Sequence, residues 1–332
     1  MGRISKLITH VKRGTALRRF NFEKVKKTAI ANASIWKDFL ATDKNAVVKE
    51  VFNNIKLNLY KDSSLSESLY KGDFEYQEVQ FLNSFLKPND VFVDIGANIG
   101  YFSIIASKRV ASNGKVYSFE PTVKTYERLE ESLKLNHCDN VQTHQVALSD
   151  KCEQREFTSS TDGFDAYNSL ESPSQGASFS KNIVQTQTFD FFQKENNIPT
   201  PTLIKIDVEG WEIPVIQGMK EMLEKKDAPI LIVEFTEDNA QLSGFTCADL
   251  FDLISSFGYS LYKYNWVRNE LVKQQKKEYY SYTNLIAMKD SSETKSRLKI
   301  FISPNPLAEF FPLGFKKGRT CGSILFPASI FH

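Results

Sequence analysis

The feature that most constrains this chain is the run Val91-Phe92-Val93-Asp94-Ile95-Gly96-Ala97-Asn98-Ile99-Gly100. Its apolar first half predicts a buried strand, and its two glycines predict a tight turn. The apolar stretch Tyr101–Val110 predicts a helix that starts at once. Strand, glycine turn and helix form the building unit of an open parallel sheet, and the alternation continues. Residues 115–120 and 141–148 read as the second and third strands, with a helix over 122–136 between them. Residues 202–207 and 230–235 read as strands on either side of a helix over 211–225. A helix over 246–257 and strands over 259–264 and 282–288 follow. Upstream, 46–60 reads as strand or hairpin around Asn53-Asn54. Residues 75–86 read as a helix ended by Lys87-Pro88-Asn89-Asp90. The expected fold is α/β and Rossmann-like, a mostly parallel sheet covered on both faces.

Composition narrows the class. Of 332 residues 41% are hydrophobic and 25% charged, which excludes a disordered chain, a collagen repeat and a coiled coil. No apolar stretch reaches the length of a transmembrane helix, and no secretory leader is apparent. The four cysteines (138, 152, 247, 321) form no CxxC pair, so a structural zinc site is not expected and reduced thiols fit a cytoplasmic protein.

The charge is uneven. Residues 1–30 carry nine basic side chains against Glu23 alone, a net +8. The chain totals +2, so the remaining 302 residues carry −6. Ile4, Leu7, Ile8 and Val11 recur at helical spacing within this arm. A solvated helix is one reading, and a peripheral contact with an anionic membrane or acceptor is the other. A nucleic-acid partner is not expected. The expected organisation is a basic helical arm over 1–45, a catalytic domain over 46–290 and a tail over 291–332. A hairpin or lid is inserted at about 151–200, where Asp162, Asp165, Tyr167 and Asn168 could meet a sugar or solvent.

Ligands of open α/β sheets bind at the carboxyl ends of the strands. Residues 94–101 therefore mark a ligand loop: Asp94, Gly96, Ala97, Asn98, Gly100 and Tyr101. The run lacks the middle glycine of the dinucleotide fingerprint G-x-G-x-x-G and carries an acid just before its first glycine. A pyrophosphate would be repelled by that acid, whereas the sulfonium and ammonium of S-adenosylmethionine would not. Glu120-Pro121 ends the second strand, where a carboxylate can accept both ribose hydroxyls. Ala147 and Leu148 could flank an adenine ring or simply pack the core. Lys205, Asp207 and Glu209 emerge from the end of a buried strand in KIDVEGWE, and Glu234 ends its neighbour. Charges there are costly unless paired or functional.

The order DIGANIG, FEP, AxSD, TFD, KIDVEGWE, VEF resembles the FkbM-type family of S-adenosylmethionine-dependent class I methyltransferases, over about 75–290. The resemblance implies a seven-stranded sheet with an antiparallel last strand near 282–288, and S-adenosylmethionine as cofactor. It also implies O-methylation of hydroxyls on sugars, glycans or other small molecules. It carries Asp94, Gly96, Ala97, Asn98 and Gly100 to the cofactor loop, Glu120 to the ribose, and Asp207 and Glu209 to the reaction centre. Thr122 and Asn89 depart from the residues frequent in the family. Methyl transfer needs positioning plus removal of the acceptor's proton, so Asp207 or Glu209 is the expected base, with Lys205 orienting it. No residue is assigned to a metal, and a divalent ion between Asp207 and Glu234 stays an open alternative. A nicotinamide oxidoreductase and a non-catalytic cofactor-binding scaffold are the rival readings.

Overall fold

The structure, a computed structural model, describes residues 32–72, 74–160, 179–290 and 301–303. The amphipathic run 4–11, the four polar residues at 162–168 and most of the tail 291–332 lie outside them.

In chain order the elements are α1 (32–40), β1 (Ala46–Glu50), β2 (Lys56–Tyr60), α2 (Ser64–Lys71), α3 (Tyr76–Phe85), β3 (Val91–Ile95) and α4 (Tyr101–Val110). Next come β4 (Lys115–Phe119), α5 (Val123–Leu135), β5 (Val141–His144), β6 (Ala147–Leu148), β7 (Glu153–Ser160), β8 (Phe179–Gln187) and α6 (Phe189–Glu195). Then follow β9 (Leu203–Ile206), α7 (Glu212–Gln217), α8 (Lys220–Leu223), β10 (Ile230–Phe235), α9 (Glu237–Leu242) and α10 (Cys247–Ser256). The last are β11 (Tyr259–Asn265), β12 (Glu270–Lys273), β13 (Thr283–Lys289) and β14 (Phe301–Ser303).

The main sheet has nine strands in the order β14-β12-β11-β13-β10-β9-β3-β4-β5. From β5 to β10 all neighbours are parallel, and β13 inserts antiparallel between β10 and β11. The sequence order reverses at β3, so the topological switch point lies beside it, where ligands of such sheets collect.

Alternation within the strands explains the two cores. Phe92, Leu203, Ile232 and Ile286 face one side, with α3, α4 and the β1–β2 hairpin. Val93, Ile204, Ile206, Leu231 and Val233 face the other, with α6 to α10. Strands buried on both faces read as continuous apolar runs, each buried Val, Leu or Ile contributing about 2 kcal/mol. Side-chain caps fix helix starts: Ser63, Thr188 and Thr246 accept from the amides of Ser66, Phe191 and Asp249.

Three features differ from the sequence reading. The third strand stops at His144; Ala147 and Leu148 leave the main sheet and pair with Thr186 and Gln187 of β8, which also pairs antiparallel with β7. The helix over 211–225 is two helices, because the Asp190 carboxylate of α6 caps the start of α8, accepting from the amides of Glu221 and Met222 at 2.7 and 3.1 Å. The sheet gains β12 and β14 at its edge. Among the described residues no helix is long and apolar enough to cross a membrane.

Candidate active site

The glycine loop begins where β3 ends. The amides of Gly96 and Ala97 both donate to the carbonyl of Phe119, at 3.0 and 2.9 Å, tying the loop to β4. The Asp207 amide donates to the Ile95 carbonyl at 3.0 Å, bringing in the end of β9. Gly96 sits at φ +81°, and a Cβ on it would come within 1.8 Å of the Asp207 carbonyl oxygen. Only glycine lets the loop and the acid turn touch in this way.

Around the loop the carboxylates have donors. Glu120 is 6% exposed and accepts from the amides of Asn98 and Thr122, at 3.1 and 3.0 Å. Asp94, 1% exposed, accepts from the Ser103 hydroxyl of α4 at 2.5 Å, and that hydroxyl also meets Ser118. Burial raises the Asp94 pKa, against the Lys205 charge and the Ser103 hydrogen bond. The Asp94 carboxylate thus lies between β3 and α4 rather than at an open surface. Pro121 is half-buried, Ala147 and Leu148 are buried, and Gly100 starts α4, where Tyr101 packs on Phe74 and Phe102. Three buried polar atoms here have no hydrogen-bond partner among the described residues: Asn98 Oδ1, Thr122 Oγ1 and His144 Nε2. They follow β3, follow β4 and end β5.

The acids gather at the ends of β9 and β10. Lys205 stands opposite Asp94 across the β3–β9 pair, and its ammonium donates to Asp207 Oδ2 at 2.5 Å. It lies 3.7 Å from Glu75 Oε2 and 4.6 Å from the Phe102 ring centroid. Burial works against its charge, but Asp207, Glu75 and Asp94 prevail and hold the ammonium ionised. Glu209 adopts a left-handed backbone, φ +53°, and accepts from the Asn239 amide nitrogen at 2.6 Å. Glu212 Oε1 accepts from the amides of Val208 and Gly210, at 3.1 and 3.3 Å, and so holds that turn. Trp211 anchors it from the other side by donating to Ser149 Oγ. Glu234, 6% exposed, accepts from the Thr236 hydroxyl through Oε1, while its Oε2 has no hydrogen-bond partner among the described residues. One carboxylate oxygen from each of Asp207, Glu209 and Glu234 lies within 4.8 Å of the others.

One lysine cannot neutralise this many acids. Burial first, then the charges of Asp207 and Glu212, raise the Glu209 pKa well above its ordinary value. Burial, Asp207 and Glu209 do the same to Glu234. Burial pushes Glu212 up to about 7, with Asp207 adding to it against its backbone hydrogen bonds. Motif reading passes over Glu75, Tyr282 and Asn284. Glu75 precedes α3, its side chain is 5% exposed, and the Tyr282 hydroxyl donates to its Oε1 at 2.9 Å. Burial pushes Glu75 up to about 8, Asp207 and Glu78 reinforcing and Lys205 opposing. No local spacing joins these residues to KIDVEG; they arrive through the packing of α3 and the insertion of β13.

The family model of the methyltransferase FkbM domain matches residues 94–261, half of the chain. The chain belongs to this family. A second model, for protein-L-isoaspartate(D-aspartate) O-methyltransferase, matches residues 20–150. Among similar curated proteins, "Methyltransferase 1" of Beauveria bassiana is 28% identical over 40% of this chain and 60% of its own length. The hexuronic acid methyltransferase AglP of Haloferax volcanii is 28% identical over 45% of this chain and 58% of its own. The 2-O-methyltransferase NoeI of Sinorhizobium fredii is 27% identical over 54% of this chain and 76% of its own. The chain thus matches about three fifths of the length of the first two. The match to the FkbM domain spans both the glycine loop that opens at Asp94 and the acid turn at 207–212.

Proposed function

We propose that this chain transfers a methyl group from S-adenosylmethionine to a hydroxyl of a sugar, glycan or related small molecule. The observation that carries the reading is the contact between loop and acid turn, where Gly96 lies against the Asp207 carbonyl. A methyl donor and a proton acceptor must sit side by side for methyl transfer to a hydroxyl, and these two segments do.

The residues fit the cofactor. Asn98 Oδ1, Thr122 Oγ1 and His144 Nε2 are buried polar atoms in want of partners beside the glycine loop, a setting for a polar nucleoside rather than for an empty apolar core. Glu120 would hold the ribose, using lone pairs beyond those taken by the Asn98 and Thr122 amides. When bound, S-adenosylmethionine supplies a methyl group on a sulfonium leaving group. The chain's own residues then orient the acceptor and take its proton. Lys205 holds Asp207 through Oδ2, so Oδ1 is the oxygen that would receive an acceptor hydroxyl. Glu212 keeps the turn in shape through its two backbone hydrogen bonds.

The sugar-type acceptor is supported by the printed activities of two relatives, a hexuronic acid methyltransferase and a 2-O-methyltransferase. The +8 arm would bring the enzyme to an anionic or membrane-linked acceptor. Calorimetry with S-adenosylmethionine and with NAD, followed by a tritiated-methyl assay on hexuronate-bearing and neutral glycans, tests the proposal. Binding of the first ligand and label in the glycan are expected. Binding of NAD alone would replace the reading with an oxidoreductase. Cofactor binding without label on any hydroxylated acceptor would leave a scaffold.

A further inference from the structure

We infer that Asp207, Glu209 and Glu234 form a binding site for one hard divalent cation at the carboxyl ends of β9 and β10. The inference deepens the proposed function, since it places the ion where the acceptor hydroxyl would lie.

Geometry comes first. Continuing the β9–β10 register, in which Val233 stands opposite Ile206, brings Asp207 level with Glu234. Both side chains project from the sheet face that carries Lys205 and Asp94. The left-handed turn at Glu209 returns a third carboxylate to the same spot. The result is three carboxylate oxygens no more than 4.8 Å apart. Oxygens on opposite sides of one ion are separated by about 4.2 Å for magnesium and about 4.8 Å for calcium, twice the metal–oxygen distance. The three groups can therefore share an ion with small side-chain adjustments.

The second observation is independent of the clustering. Among the described residues Glu234 Oε2 is buried with no hydrogen-bond donor, although more than nine tenths of the residue is out of solvent. Directly across the β10–β13 pair, on the same face, stands Asn284, 7% exposed. Among the described residues neither its Oδ1 nor its Nδ2 has a partner at full hydrogen-bond geometry, although the amide interacts with Glu78. Buried polar atoms are almost always satisfied. An orphaned carboxylate oxygen among two further carboxylates asks for positive charge, and Lys205 is already committed to Asp207 and Glu75.

The donor set names the ion class. All three ligands are carboxylates, with no sulfur or imidazole among them, which suits magnesium, calcium or manganese rather than zinc or copper. Three protein ligands leave coordination positions open. Two neighbouring hydroxyl oxygens of a sugar would fill them, so the ion would select acceptors with vicinal oxygens and ease loss of their protons.

The test uses the full chain, freed of metal with EDTA and without S-adenosylmethionine, so that its outcome does not depend on turnover. Manganese is titrated by electron paramagnetic resonance, with magnesium and calcium as competitors. One manganese per chain is expected, displaced by magnesium or calcium, with affinity reduced at least about tenfold in Glu234→Gln and in Glu209→Gln. The ion should also raise the melting temperature of the wild-type chain, because it binds the folded state alone. This reading survives any folding defect of the variants. No manganese bound at about millimolar concentration, the weak end of protein cation sites, overturns the inference. So does stoichiometric binding that both variants retain. S-adenosylmethionine binding, measured in parallel, reports on the proposed function separately.

Discussion

The two halves of the sheet's carboxyl edge handle acids in opposite ways. Over β3 and β4 each carboxylate has donors: Glu120 takes two backbone amides and Asp94 takes Ser103. What lacks partners there is neutral, namely Asn98, Thr122 and His144. Over β9 and β10 the carboxylates have donors too, but nearly all are neutral, and among the described residues Lys205 is the cation paired with Asp207 and Glu75. The first half is complete as a cradle and wants a polar ligand. The second half holds an excess of negative charge and wants protons or a cation. A methyltransferase needs both, a rigid seat for the donor and a charged seat for the acceptor's proton, and the contact of Gly96 with Asp207 joins them.

The largest effect is expected in the acidic half. Asp207→Asn removes the carboxylate that Lys205 holds, and it should lower methyl transfer by about a hundredfold to ten-thousandfold while leaving S-adenosylmethionine affinity nearly unchanged. Single-turnover transfer of labelled methyl, alongside calorimetry, separates the two. Equal loss of both would show that the halves are one structural unit rather than two functions.

The cradle should respond in the reverse sense. Glu120→Gln loses the charge proposed to hold the ribose and turns an amide group toward the backbone donors of Asn98 or Thr122. Cofactor binding should weaken by about 2 kcal/mol, roughly thirtyfold, with the rate at saturating cofactor little altered. A collapse of the saturated rate would move Glu120 out of the cradle and into the chemistry.

The sequence made the first half far more legible than the second. Strand β3, its glycine turn and α4 are contiguous, so periodicity and two glycines reveal strand, turn and helix together. Lys205 and Asp207 were visible because charges in an apolar run are costly and stand out. Glu75 gives no such signal. It lies 130 residues before Lys205 in an ordinary amphipathic segment and gains its meaning when the start of α3 packs over β9. Tyr282 and Asn284 likewise read as routine strand residues until β13 inserts beside β10. The break between β5 and β6 and the split of 211–225 into α7 and α8 depend on long-range partners, Gln187 and Asp190, which local spacing cannot see.

Charge excess has a stability consequence in the acidic half. Glu75 ordinarily titrates near 4.5, and in the folded chain burial raises it to about 8. Between those values the folded chain keeps a proton that the unfolded chain has released. Stability from this group is therefore present at low pH and falls as pH rises through the window. Glu212, raised to about 7 by burial, acts in the same direction. Chemical denaturation of the wild type should show stability falling between about pH 5 and 8. Glu75→Gln should flatten that slope and recover on the order of 2–3 kcal/mol at the alkaline end. A stability that rises across this range would mean that the acids are already neutralised, and the contrast between the halves would lose its basis.

The smallest effect sharpens the same contrast. Tyr282 donates its hydroxyl to Glu75 Oε1 at 2.9 Å, while the rest of the residue is half-exposed. That hydrogen bond favours the charged carboxylate and holds the Glu75 pKa down against burial. Tyr282→Phe keeps the ring and removes the donor. It should cost no more than about 1 kcal/mol near neutral pH. Its signature is instead a shift, since the midpoint of the stability decline should move to higher pH as the carboxyl loses its partner. Denaturation curves across pH for wild type and Tyr282→Phe read this directly. A midpoint that moved down would mean that the hydroxyl accepts from a protonated Glu75 rather than donating to its carboxylate, and the proton would then belong to the resting cluster.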